Sequence, residues 1–129
     1  MMITTLNKAP GYVLVVGEEL LDRNSLTEML NRWGYYVLFA NNSLNALKLL
    51  SDIRPMAILI GFVEGNPDRQ TFTKILKNDQ STSDIHVVAI SEENVSLDGL
   101  MPIGFDGFIT VRDRLQDMSA DLQKILFNK

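Results

Sequence analysis

Three short stretches, "YVLVV" at 12–16, "MAILIG" at 56–61 and "HVVAIS" at 86–91, are apolar at almost every position and rich in branched side chains. A strand with one face in water alternates apolar and polar residues, whereas a continuous run demands apolar surroundings on both faces. Such strands belong to parallel sheets covered on each side by helices, so these runs restrict the fold more tightly than any other feature of the chain.

The intervening segments supply the covering helices. Leu26, Met29, Leu30 and Trp33 fall at i, i+3, i+4 and i+7, one stripe of a helix that Gly34 closes. "YYVLFA" (35–40) reads as a second strand, after which Asn42 or Ser43 caps a helix carrying Ala46, Leu49, Leu50 and Ile53, stopped by Pro55. Beyond Gly61, Asn66 and Pro67 supply the cap and first-turn pair of a helix with Phe72, Ile75 and Leu76 inward. "GFIT" (107–110) makes a brief fifth strand, and Leu115, Met118, Leu122 and Ile125 give a last amphipathic helix. Between the fourth and fifth strands Gly99 and Pro102 interrupt a short apolar pattern, so the fourth helix is expected to be short or irregular. The order calls for an α/β fold with a parallel sheet and helices on both faces. One domain over 11–129, preceded by a loose arm at 1–10, is the expected organisation.

Charge and composition exclude several functions. A net charge of −4 with no Lys/Arg cluster argues against direct nucleic-acid binding. The absence of cysteine rules out disulfides and zinc-thiolate sites and fits a reducing compartment. No apolar run approaches bilayer length, and "MMITTLNKAP" lacks a signal-peptide core, so a cytoplasmic protein without a membrane partner is expected. His86 is the single histidine and has no partner suggesting catalysis; "GNP" at 65–67 lacks the spacing of a phosphate loop. The expectation is a protein that is not an enzyme.

"VLVVGEELLDRNSLTEMLNRWGYYVLFANNSLNALKLL", "RPMAILIG", "LKNDQSTSDIHVVAIS" and "GFDGFIT" carry, in order, a pattern that resembles the receiver domain of bacterial two-component response regulators, from Gly11 to about Leu126. The resemblance implies a flavodoxin-like, doubly wound sheet of five strands in the order 2-1-3-4-5. In that family two acidic residues after the first strand and an aspartate ending the third hold Mg²⁺, and that aspartate accepts a phosphoryl group. A hydroxyl ending the fourth strand and a lysine after the fifth read the phosphoryl oxygens. Such chemistry is mostly positioning and charge neutralisation around a hard cation.

Carried over residue by residue, the acidic cluster falls on Gly17, Glu18 and Glu19, and the acceptor aspartate on Gly61. The hydroxyl falls on Ser91, which matches; the lysine falls on Val111, and Arg112 follows where the family has proline. The switch aromatic falls on Phe108. The resemblance thus implies a degenerate pocket, a pseudo-receiver lacking both acceptor and lysine. Glu18 and Glu19 also suit the solvated N-terminus of a helix, whose dipole favours them, so no cofactor is expected and Mg²⁺ binding is weak or absent. The implied function is a module of a two-component phosphorelay that is not phosphorylated and works through contacts with signalling proteins: a histidine kinase, a regulator or an output domain. Phe108, Arg112, Arg114 and Gln116 mark the partner surface, on the face of fourth helix, fifth strand and fifth helix that receivers use for dimerisation or output. Two alternatives stand beside this: a flavodoxin-like binder of a small molecule, against which "GEELLDRN" offers no phosphate cradle, and phosphorylation on another acid, Glu64 or Asp68.

Overall fold

The computed structural model describes residues 11–17, 23–61, 67–91, 104–110, 122–124 and 126. Within them lie strands β1 (Tyr12–Val16), β2 (Tyr36–Ala40), β3 (Ala57–Gly61), β4 (His86–Ser91) and β5 (Gly107–Thr110), and helices α1 (Arg23–Arg32), α2 (Ser43–Leu50) and α3 (Pro67–Asn78). Residues 122–124 and 126 are helical. The strands form one sheet in the order β2-β1-β3-β4-β5, and each neighbouring pair is parallel.

The continuous apolar runs are continuous because both sheet faces are covered. Val13, Val15, Leu59, Val88, Ile90 and Ile109 face a layer made by Leu26, Met29 and Leu30 of α1 with Leu122 and Leu126. Leu14, Val16, Ile58, Ile60, Val87 and Ala89 face the other, made by Ala46 of α2 and Phe72 and Leu76 of α3. β1 from Val13 and β3 from Ala57 are fully out of water. Each such side chain contributes roughly 1.5–3 kcal/mol of burial.

The helix ends follow from specific residues. Gly34 has φ +97, its N–H donates to the Asn31 carbonyl at 3.0 Å, and the Tyr35 N–H donates to the Leu30 carbonyl at 3.0 Å. That pair of bonds around a left-handed residue is a Schellman motif, which closes α1 by satisfying its last carbonyls. Asn42 is the N-cap of α2, its Oδ1 accepting the Asn45 N–H at 2.9 Å.

Four expectations are corrected in detail. β2 begins at Tyr36, because Tyr35 is spent on closing α1; β3 begins at Ala57, not Met56. α2 ends at Leu50, before Ile53 and well before Pro55, in a turn where the Ser51 Oγ donates to the Lys48 carbonyl at 2.6 Å. Ile75 is not an inner residue of α3 but 46% exposed. The Asn66 cap, the connection between β4 and residue 104, the arm at 1–10 and the positions Leu115, Met118 and Ile125 lie outside the described residues.

Candidate functional site

The C-terminal ends of β1, β3 and β4 lie side by side at one end of the sheet. Ile60 is in register with Val16 on one side and Ala89 on the other, so Gly17, Gly61 and Ser91 come to the same end on neighbouring strands. All three are buried. The structure therefore brings together three of the six positions assigned to the degenerate pocket. Glu18, Glu19 and Val111 lie outside the described residues, as do Arg112, Arg114 and Gln116 of the expected partner surface.

The two glycines are there for different reasons. Gly17 has φ +120, a conformation that side chains with a Cβ rarely adopt, and its N–H donates to the Ala40 carbonyl at 2.9 Å. That bond continues the β1–β2 ladder one rung past Val16, and glycine suits the positive φ there. Gly61 is an ordinary strand residue outside the positive-φ glycines, in register with Ile90. Its backbone conformation is one that any residue can adopt.

Phe108 is half-buried, in register with Ala89, and packs on the layer of α2 and α3. His86 opens β4 opposite Ala57 and is half-buried. Trp33 is half-buried against the α1 layer, and Tyr35 is buried, which pushes its phenol above the ordinary tyrosine range. Tyr36 instead pairs with Tyr12 across the strands, ring centroids 5.5 Å apart, and both rings are exposed.

The sequence reading missed an ion pair at the N-terminus of α3. Asp68 Oδ2 accepts the Ser43 Oγ–H from the first turn of α2 at 2.6 Å and lies 3.4 Å from Arg69 Nε. The Arg69 side chain is only 6% exposed, whereas that of Asp68 is 56% exposed. The available signal was the spacing of 69, 72, 73 and 76: Arg69 precedes Phe72, Thr73 and Leu76, all buried, at i, i+3, i+4 and i+7. Arg69 thus lies on the inward stripe of an amphipathic helix. Asp68, weighed as a substitute phosphoacceptor, is engaged in holding α2 to α3.

Among the described residues no three His, Asp or Glu side chains gather where a metal ion could be held, and no helix is long and apolar enough to cross a membrane. A hard divalent ion takes about six oxygen ligands. Gly17 and Gly61 can offer it backbone oxygens only.

No family model matches the chain. It is 27% identical over 117 residues to the phosphate regulon transcriptional regulatory protein PhoB of Pseudomonas aeruginosa, covering 88% of this chain and 51% of that protein. The chain therefore spans about half the length of the curated relative it matches. Among solved structures it superposes on the signal receiver domain of a signal transduction histidine kinase from Syntrophus aciditrophicus with TM-score 0.74 at 22% identity, over 92% of this chain and 91% of that one. The chemotaxis response regulator CheY4 of Vibrio cholerae gives TM-score 0.76 at 17% identity, over 89% and 98% of the two chains. A response regulator from Thermotoga maritima gives 0.75 at 20%, over 91% and 98%. The fold of this chain is the receiver fold, flavodoxin-like, with the sheet order expected from the sequence.

Proposed function

We propose that this chain is a receiver-like module of two-component signalling that is not switched by aspartyl phosphorylation and acts through protein contacts. One observation carries the reading: β3 ends in Gly61, buried at the end of the sheet where Gly17 and Ser91 also arrive. Phosphoryl transfer to a residue needs a nucleophilic side-chain atom, and glycine has none. The attacked phosphorus also needs its charge neutralised, by a cation and a basic side chain. Val111 stands in the sequence where the resemblance expects that lysine, and Gly17 where it expects an acid. Acceptor and lysine serve one mechanism from positions 50 residues apart in the sequence, so their joint replacement supports loss of the mechanism. Mg²⁺ binding is accordingly weak or absent.

Without the phosphate-linked change, the module would present one fixed surface to its partner. The segment from Phe108 through Arg112, Arg114 and Gln116 is the surface proposed for a histidine kinase, a regulator, an output domain or a second copy of the chain. The engagement of Asp68 with Ser43 and Arg69 weighs against its serving as a substitute acceptor.

The direct test is incubation of the purified chain with acetyl phosphate and Mg²⁺, followed by intact-mass measurement. No phosphoryl adduct is expected. A hydroxylamine-labile adduct on any carboxylate would overturn the reading.

A further inference from the structure

β5 is four residues long and, among the described residues, lies at the edge of the sheet with β4 as its strand neighbour. Short edge strands are the parts of a sheet that open most easily. What holds this one is concentrated just before it. The Asp106 N–H donates to the Val87 carbonyl at 2.8 Å, and Asp106 Oδ2 accepts the Val87 N–H at 2.8 Å. One residue thus takes both backbone groups of Val87 and extends the β4–β5 ladder by a rung made partly of side chain.

The same carboxylate oxygen receives the Lys77 ammonium, from the last turn of α3. Lys77 Nζ also donates to the Ile85 carbonyl at 2.8 Å and the Ser83 carbonyl at 3.3 Å, on the approach to β4. The two side chains are 19% and 33% exposed, so this pair is less screened by solvent than an ordinary surface salt bridge. Gly104 turns the chain toward Asp106 with φ +105, and a Cβ there would meet Lys77 Cγ at 3.2 Å. The helix, the start of β4 and the turn into β5 all converge on one lysine.

We infer that Lys77 and Asp106 form a clasp that fixes the register of β5 and controls its local release from the sheet. The register matters because side chains alternate: a slip of one residue would exchange Phe108, on the α2–α3 layer, with Ile109, buried in the opposite layer. "GFIT" contains no charged residue that could fix the register itself. With the clasp closed β5 opens only when the sheet does; with it broken, β5 opens while β1 and β3 stay folded. This inference stands independently of the proposed signalling role.

Amide hydrogen exchange on the full chain tests it, comparing Lys77→Met and Lys77→Arg with the wild type. Lys77→Met is expected to speed exchange in Gly107–Thr110 by about tenfold, the order of effect for one charge-assisted hydrogen bond. Amides of Val13–Val16 and Ala57–Ile60 should keep their rates, and Lys77→Arg should recover most of the protection. Equal acceleration in all three strands would reduce the pair to a general stabiliser and overturn the clasp, as would unchanged exchange in β5. If Lys77→Met does not fold, Asp106→Asn gives the same comparison, because it keeps an acceptor for the Val87 N–H while losing the charge.

Discussion

At the scale of single residues, the arginine of α3 is the least expected feature. A cation taken out of water is tolerated only beside an opposite charge, and removing that partner costs more than the pair contributes. Asp68→Ala should therefore destabilise the fold by about 1–3 kcal/mol, a range kept modest because Asp68 is half in water. Arg69→Met, which removes the buried charge and leaves the Ser43–Asp68 hydrogen bond in place, should be neutral or stabilising. Urea unfolding of both variants checks this, and an Asp68→Ala midpoint equal to wild type would contradict it. The residues of the candidate pocket were legible unequally. Gly61 and Ser91 could be placed from the sequence because each terminates a continuous apolar run. The positive φ of Gly17 was not legible, since a glycine in sequence does not show whether its freedom is used, and the burial of Arg69 was not, since a charged side chain on a helix ordinarily faces water.

At the scale of elements, local chemistry sets the boundaries. Gly34→Ala should cost about 1 kcal/mol, since alanine resists the positive φ of the Schellman motif, and thermal unfolding should show it. Between α3 and β4 the Asp79 carboxylate accepts the Ser81 N–H at 2.9 Å and its Oγ–H at 2.8 Å, and these bonds hold its pKa below the ordinary aspartate value. A carboxyl whose pKa is lower folded than unfolded adds stability above its unfolded pKa and loses it as pH falls through the folded one. Wild type should therefore lose slightly more stability than Asp79→Ala between neutral pH and the acid side of the carboxylate range. Denaturant titrations at the two pH values read the difference, and parallel losses would refute it. The strands and the Asn42 cap were legible because apolar runs and capping side chains act locally. The exposure of Ile75 was not, because which flank of a helix meets its neighbour is decided by packing across the sheet.

For the whole molecule, the parallel order was readable because strands apolar on both faces admit few arrangements, and right-handed crossovers leave fewer still. Partner choice is a different kind of property: surfaces that bind are written in exposed side chains, which the core pattern does not constrain. The proposed loss of phosphate chemistry from a receiver fold turns on one position, Gly61. Its most direct test is the amide NMR spectrum of the full chain during addition of Mg²⁺ and then beryllofluoride, a mimic of aspartyl phosphate that needs both a carboxylate and the metal. The spectrum should stay unchanged at Gly17, Gly61 and Ser91; shifts clustered at those three residues would contradict the proposed function.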